Sequence, residues 1–471
     1  MSTMRRSFLP ARLARRWWPL LMAGLLIGPG WGIHRVMNGY EGNAVMSASL
    51  FLTPPTTNES VRAGMEALHR RLQQEVSNSG LNSGAVFPAP EGSGDVRQLT
   101  LCAGTRTATV RGMETKALDL LKELTEAHAV PGHEDEVREI FARELGEAGE
   151  LSTDRNGSVI CDAGGDGPRV MVAGHMDEVG FMVQNITPSG FLQFVTLGGW
   201  WSHSLLSQRV EVKTRRGDKI LGVVSSVPPH FLSEAQRNQV LGVEQMFIDV
   251  GAESRDQAMR EFGISLGDPV APVSEFTPMA REDWFMAKAF DNRVGMAGAI
   301  QCGQLTAGGQ RGNRLLLAGT VQEEMGLRGA RSAAFLAKPD AVVVLEGPPA
   351  DDTPGFPLSD CQGRLGGGVQ IRFFDSSAIG NPRFARFAEQ VARDEGIPYQ
   401  VTVRRKGGTD AGSFHLANEG IPCVVLGVPA RYIHSHNAII DLNDHLHMVA
   451  LAAALVRRLD QAAVDSLTNY L

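Results

Sequence analysis

The sequence predicts an α/β protein with a mostly parallel sheet flanked by helices, into which a small β-barrel is inserted. Three observations predict it. Short continuous apolar runs at Val170–Ala173, Leu315–Gly319, Ala341–Leu345 and Cys423–Leu426 have the form of strands buried on both faces. Segments of helical periodicity alternate with them, the pattern of a parallel sheet covered by helices. Between about Gly180 and Pro272 the style changes to short β-rich segments separated by turn signals.

Taken in order, Met113 opens an amphipathic helix with Leu118, Leu121 and Leu124 on one face, stopped at Pro131-Gly132. A second helix follows, with Val137, Ile140, Phe141 and Leu145 on its apolar side. The inserted region offers strands at Phe181–Ile186, Phe191–Leu197, Arg209–Val212 and Ile220–Val224. The α/β style then resumes with helices near Asn292–Leu305, Arg328–Lys338 and Pro382–Asp394 and a last helix from about Asp444. Strands Val369–Phe374 and Tyr399–Val403 complete the set. The expected organisation is therefore a catalytic α/β domain at 113–180 and 272–471, an inserted β domain at 181–271, and an extension at 1–112.

That extension reads differently. Arg5-Arg6-Ser7-Phe8-Leu9 and the apolar stretch Trp17–Ile33 have the outline of an export signal, and residues 52–112 are rich in Ser, Thr, Gly, Pro and Asn. The apolar stretch is too short and too interrupted by Pro19 and Pro29 to be a membrane span, so no firm membrane association is expected. The competing reading is an upstream extension of the reading frame, with the start at Met113. It is preferred because nothing downstream is adapted to an oxidising compartment, and a cytoplasmic location follows; export is the alternative. The five cysteines are scattered with no CxxC pair, which points to free thiols. A net charge of −7 argues against a nucleic-acid partner, which needs clustered Lys and Arg.

Five segments place His and carboxylates where apolar strands or helices end, the position of ligand sites in open α/β sheets. They are Gly174-His175-Met176-Asp177-Glu178, Phe290-Asp291-Asn292-Arg293, Gln322-Glu323-Glu324-Met325-Gly326, Glu346 with Asp351 and Asp352, and Arg431-Tyr432-Ile433-His434-Ser435-His436. Each has an ordinary reading alone. His175 can cap a loop, Asp291 can cap a helix, Glu346 can be exposed surface, and either of His434 and His436, or neither, can be a ligand. Together they supply imidazoles and carboxylates in about the number that two divalent ions sharing a bridging carboxylate require.

With those motifs, and Gly408-Thr409-Asp410-Ala411, the chain from Met113 onward resembles the glutamyl aminopeptidase / cellulase M family of TET-type dinuclear metal aminopeptidases, metallopeptidase family M forty-two. The resemblance implies a zinc-peptidase-like fold whose inserted β-barrel serves dimerisation. It implies two divalent metal ions per subunit, zinc or cobalt, one held by His175 and Glu346 and the other by Glu324 and His434, with Asp291 bridging. Glu323 is implied as general base and Asp177 as the partner of His175, and the Gly408–Ala411 segment is expected to shape the substrate site. Peptides are the implied substrates, cleaved at their N-terminal residue, and a homo-oligomer built from dimers, up to a dodecamer, is the implied assembly. A glycoside hydrolase is the alternative, because two carboxylates can hydrolyse sugars without metal. It leaves His175 and His434 without a purpose. A third alternative, an inactive assembly or peptide-binding protein, sits poorly with a full set of ligand positions.

Overall fold

The computed structural model describes residues 34–37, 48–51 and 103–471. The signal-like stretch Trp17–Ile33 and residues 52–102 lie outside the described residues. The chain divides between Met113 and Glu114 into two units. In the first, β1 (His34–Met37) and β2 (Ala48–Phe51) pair antiparallel, with His34 opposite Phe51. Helix α1 (Ala103–Glu126) crosses the division. The helix expected to open at Met113 is thus already formed from Ala103; no proline interrupts 103–126, so a helix held by Leu121 and Leu124 propagates back.

Next in the chain come α2 (Asp135–Leu145) and strands β3 (Glu150–Thr153), β4 (Val159–Asp162) and β5 (Arg169–His175). The insert follows as β6 (Gly180–Ile186), β7 (Leu192–Leu197), β8 (Arg209–Lys213), β9 (Lys219–Ser225), β10 (Phe247–Asp249) and β11 (Pro269–Pro272). These close into a six-stranded barrel in the order β10-β7-β6-β11-β8-β9, filled by Phe181, Phe194, Val210, Val224 and Ile248. Then come β12 (Thr277–Pro278), β13 (Trp284–Ala287), α3 (Phe290–Thr306), β14 (Arg314–Thr320), α4 (Arg328–Ala337) and β15 (Ala341–Glu346). The rest is β16 (Val369–Phe374), α5 (Pro382–Glu395), β17 (Tyr399–Val403), β18 (Cys423–Gly427), β19 (Ala438–Asp441), α6 (Leu442–Arg458) and α7 (Gln461–Thr468).

Eight strands form the main sheet, in the order β17-β16-β18-β15-β5-β14-β4-β3. The pairs β17–β16, β18–β15, β15–β5 and β5–β14 are parallel. The pairs β16–β18, β14–β4 and β4–β3 are antiparallel. Alternate residues of each central strand feed opposite faces. Val170, Val172, Leu315, Leu317, Val343 and Leu345 pack with α1, α2, α3, α5 and α6. Met171, Ala173, Leu316, Ala318, Val342 and Val344 pack with α4 and the short helix Ala411–Phe414.

The register matters for function. Thr320 lies opposite His175 and Glu346 opposite Gly427, so β14, β5, β15 and β18 end along one edge. Helix α3 crosses that edge closely. A Cβ on Gly174 would come within 2.7 Å of the Gly295 backbone, so only glycine lets the start of α3 approach the end of β5. Several strands were not legible. All of β3 is exposed, with no apolar alternation to mark it. Strands β13 and β19 pair Trp284 with Asp441 across the chain, in a three-stranded sheet with β12 that no local turn announces. Among the described residues no helix is long and apolar enough to cross a membrane. Cys161, Cys302, Cys361 and Cys423 are free.

Candidate metal centre

Three of the expected residues arrive from strand ends and loops at a single point. His175 closes β5, Glu346 closes β15, and Asp291 stands at the entry to α3. Asp291 does not act as a helix cap: Asn292 does, its Oδ1 accepting from Gly295 N at 2.9 Å, while the Asp291 carboxylate is turned to two histidines. Asp291 Oδ1 lies 3.2 Å from His175 Nε2, and Asp291 Oδ2 lies 3.3 Å from His434 Nε2. Glu346 Oε2 is 3.7 Å from His175 Nε2, and Glu324 Oε1 is 3.2 Å from His434 Nε2. Glu323 Oε2 stands 3.9 Å from His175 Nε2. His175, Asp291 and Glu346 form one cluster able to hold a metal ion, Asp291, Glu324 and His434 form another, and His175, Glu323 and Glu324 form a third. Asp291 belongs to the first two, one oxygen to each.

The imidazoles are oriented by backbone carbonyls. His175 Nδ1 is 3.0 Å from its neighbour Asp177's backbone oxygen, and His434 Nδ1 is 2.8 Å from the Gly199 oxygen. With the proton on Nδ1, each Nε2 presents a lone pair to carboxylate oxygens. Lone pair against carboxylate is repulsive unless a proton or a cation stands between them. Glu324 Oε1 and Glu346 Oε1 are also buried without a hydrogen-bond partner. Four carboxylates and two imidazoles in a largely buried group therefore fit divalent cations by donor type and charge.

The electrostatics carry the same imprint. Burial opposes protonation of His175, but Glu323, Asp177, Asp291 and Glu346 outweigh it and raise its pKa well above the ordinary value. His434 is raised to about 11 by Asp291 and Glu324 against the same burial. Burial raises Glu346 and Glu323 well above the usual carboxylate range. For Glu323, Glu346, Glu324 and Asp410 add to the rise and His175 opposes it. Asp291 is held below its ordinary value because His175 and His434 overcome its burial.

Asp177 does more than face His175. Its Oδ1 is 3.4 Å from His175 Nδ1, a longer approach than the one to its own backbone oxygen. Its two carboxylate oxygens accept instead from the backbone N–H groups of Glu323 and Glu324, each at 3.0 Å. The turn they hold includes Gln322 at φ 55°, and Ala289 and His434 are also left-handed, at φ 56° and 55°. Each such non-glycine residue stores about 1–3 kcal/mol of strain. All three adjoin or belong to the candidate centre.

Beneath the centre lies a buried charge cluster that sequence reading passed over. Glu178 accepts from Lys288 Nζ and, at 3.1 Å, from Arg293 Nη2. Lys288 also donates to the Ala127 carbonyl at 2.8 Å, and Arg293 donates to those of Leu124, at 2.9 Å, and Met176. Two cations on one carboxylate place positive charge below the acidic group and tie α1, the His175 loop and α3 together. Removing Glu178 would leave both cations unpaired, a loss of about 3–5 kcal/mol. Asn292 adds a strut, donating to the Leu345 carbonyl at 2.7 Å beside Glu346.

Other expectations resolve differently. His436 is outside all three clusters; its ring packs near Trp200 at 5.6 Å and burial lowers its pKa to about 4. Asp351 and Asp352 pair with Arg404 and Arg431 rather than entering the centre. In the Gly408–Ala411 segment Gly408 is exposed while Thr409 and Asp410 are buried, and Asp410 accepts from the Thr320 hydroxyl at the end of β14. An apolar approach by the following helix, Ala411–Phe414, draws it under the sheet edge.

Comparison with known proteins adds independent findings. The family profile described as M42 glutamyl aminopeptidase matches residues 157–451, and a profile described as AMPT matches residues 115–141. A glutamyl aminopeptidase of Lactococcus lactis is 36% identical over 357 residues, covering 75% of this chain and 99% of the relative. A TET aminopeptidase from a marine sediment archaeon, Thaumarchaeota archaeon SCGC AB-539-E09, superposes with a TM-score of 0.73 at 39% identity. It covers 75% of this chain and 99% of its own. The Pyrococcus horikoshii TET1 peptidase, described as able to assemble into a tetrahedron or a large octahedral shell, has a TM-score of 0.65 at 29% identity. It covers 73% of this chain and 100% of its own.

Proposed function

The chain belongs to the M42 glutamyl aminopeptidase family, and from that premise we propose that it is a dinuclear metal-dependent aminopeptidase that removes N-terminal residues from peptides. The observation that carries the reading is the division of Asp291, one oxygen toward His175 and the other toward His434. His175 and Glu346 would hold one divalent ion and Glu324 and His434 the other, with one Asp291 oxygen available to each. Zinc or cobalt suits this mixture of imidazole and carboxylate.

Bound there, the two cations would acidify an attacking water and polarise the scissile carbonyl. Glu323 takes the proton of that water and returns it to the leaving amine. Asp177 holds Glu323 and Glu324 by their amides, so that two adjacent glutamates face different partners. A free α-amino group seated beside the acidic centre restricts cleavage to the first residue of the peptide.

Assembly follows the same premise. The barrel exposes Trp201, Phe231 and Val240, apolar surface suited to burial between subunits, and we take a homo-oligomer built from dimers as the working state. The decisive experiment for the chemistry is chelation. Hydrolysis of aminoacyl chromogenic substrates should disappear with a strong chelator and return with added zinc or cobalt. Aminoacyl hydrolysis that survives complete metal removal would end this reading, and so would its absence beside a chelator-resistant hydrolysis of glycosides, the behaviour of a metal-free glycosidase.

A further inference from the structure

The turn that carries Glu323 and Glu324 is held from two sides. Asp177 accepts from the amides of Glu323 and Glu324. The preceding amide, that of Gln322, points elsewhere, toward Glu134 Oε1 at 3.2 Å. Glu134 stands at the N-terminus of α2, yet its side chain makes no cap hydrogen bond to that helix. It turns away, accepts from Gly132 N at 2.8 Å, and reaches a residue 188 positions distant in sequence. Only 1% of Glu134 is exposed.

We propose that Glu134 is a positioning residue: with Asp177 it clamps three successive amides of the Gln322–Glu324 turn and so sets where Glu323 stands. The inference rests on the assignment of Glu323 as base and Glu324 as metal ligand. Its physical logic is the strain at Gln322. A left-handed non-glycine residue persists only where its surroundings over-determine it. Here the left-handed backbone directs the Gln322 N–H to Glu134, and a missing acceptor would strand a part-buried donor at up to about 1–3 kcal/mol. The Gln322 amide donates to Glu134 and not to Asp177, whose two oxygens each accept from one of the next two amides.

The arrangement is otherwise unfavourable, which argues for a purpose. Burial and the nearby Asp177 push the Glu134 pKa up to about 7. An ordinary cap residue such as Ser or Asn would serve α2 without that penalty. The loop bearing Glu134 is itself braced: His133 N donates to the Val130 carbonyl at 2.9 Å, and Arg138 N donates to the Glu134 carbonyl at 3.0 Å. A firm anchor is what a clamp on the base requires, because a small displacement of a catalytic group is expensive in rate.

The test compares Glu134→Gln, which keeps an acceptor oxygen, with Glu134→Met, which keeps volume and accepts nothing. In the metal-loaded full-length protein, Glu134→Met should lower kcat by on the order of 10–100-fold, as loss of a supporting partner commonly does. KM and bound metal per chain should stay at wild-type values, and Glu134→Gln should restore most of kcat. Amide hydrogen exchange in residues 321–325 should accelerate in Glu134→Met and not in Glu134→Gln. Wild-type kcat in Glu134→Met, equal losses in both variants, or unaltered exchange in 321–325 would overturn the proposal. Should Glu134→Met fail to fold, Glu134→Asp replaces it, because a carboxylate withdrawn by one methylene cannot serve Gly132 and Gln322 together; wild-type kcat there counts equally against the clamp. Wild-type protein without chelator-sensitive peptidase activity would refute the functional reading instead, and the exchange measurement would still decide the clamp.

Discussion

Glu323 and Glu324 are neighbours in the chain with different surroundings. Glu324 Oε1 lies 3.2 Å from His434 Nε2 in a cluster with Asp291, whereas Glu323 Oε2 stands 3.9 Å from His175 Nε2 and shares a cluster only with His175 and Glu324. If Glu324 is a ligand, Glu324→Gln should empty or weaken one metal site, and excess metal should partly restore activity. Glu323→Gln should keep near-normal metal content and fold and still lose activity by about 10²–10⁴-fold, the range for removal of a general base. Metal analysis beside turnover decides between them. An emptied site in Glu323→Gln with both sites full in Glu324→Gln would reverse the two roles, and full activity in both variants would remove the dinuclear mechanism altogether.

Helix α2 is joined to the inserted barrel through one carboxylate. Glu136 accepts from Lys213 Nζ on β8 at 2.8 Å, from Lys219 Nζ on β9 at 3.1 Å, and from the His128 amide at 2.8 Å. Burial works against its ionised form, but these three donors outweigh it and hold its pKa down to about 2 from the model-peptide 4.5. A folded-state pKa below the unfolded one means the stabilisation is fully present above about 4.5 and is lost as pH falls toward about 2. Glu136→Gln should therefore lower the Tm at neutral pH by roughly 1–2 °C, the equivalent of about 1 kcal/mol for a partly exposed group in a unit of this size. The difference between variant and wild type should shrink as pH falls below about 4.5. A difference that stays constant down to the lowest pH would show that the ion pairs contribute nothing. The barrel also reaches the centre directly, since the Gly199 carbonyl sets the orientation of His434.

At the scale of the whole molecule, the proposed chemistry lies entirely in the unit Glu114–Leu471. A chain beginning at Ala103, the start of α1, should accordingly keep full specific activity and the same assembly as the full-length chain. Sedimentation should find both far heavier than a single chain, because exposed Phe231 and Val240 on the barrel require cover. A stable, active monomer would count against the oligomer while leaving the metal chemistry intact. Loss of activity on removing residues 1–102 would give that segment a role that the centre's geometry does not assign it.

Central strands and amphipathic helices were legible because apolar runs and helical periodicity are local properties: Val170–Ala173 and Ala341–Leu345 announce themselves wherever they lie. The acidic and imidazole residues at their ends were legible as candidates for the same reason. What local pattern could not supply was contact between distant segments. It left His434 and His436 equal until the Gly199 carbonyl, 235 residues away, was seen to orient one of them toward Asp291. It offered Asp291 as a helix cap, and only the crossing of α3 over the end of β5 turns that carboxylate to two histidines. Strands β13 and β19, the burial of Asp410 behind Thr320, and the reach of Glu134 to Gln322 are likewise products of packing. Residue chemistry and periodicity travel with the chain. Which lone pair faces which carboxylate depends on how the sheet edge, the helices and the barrel close around it.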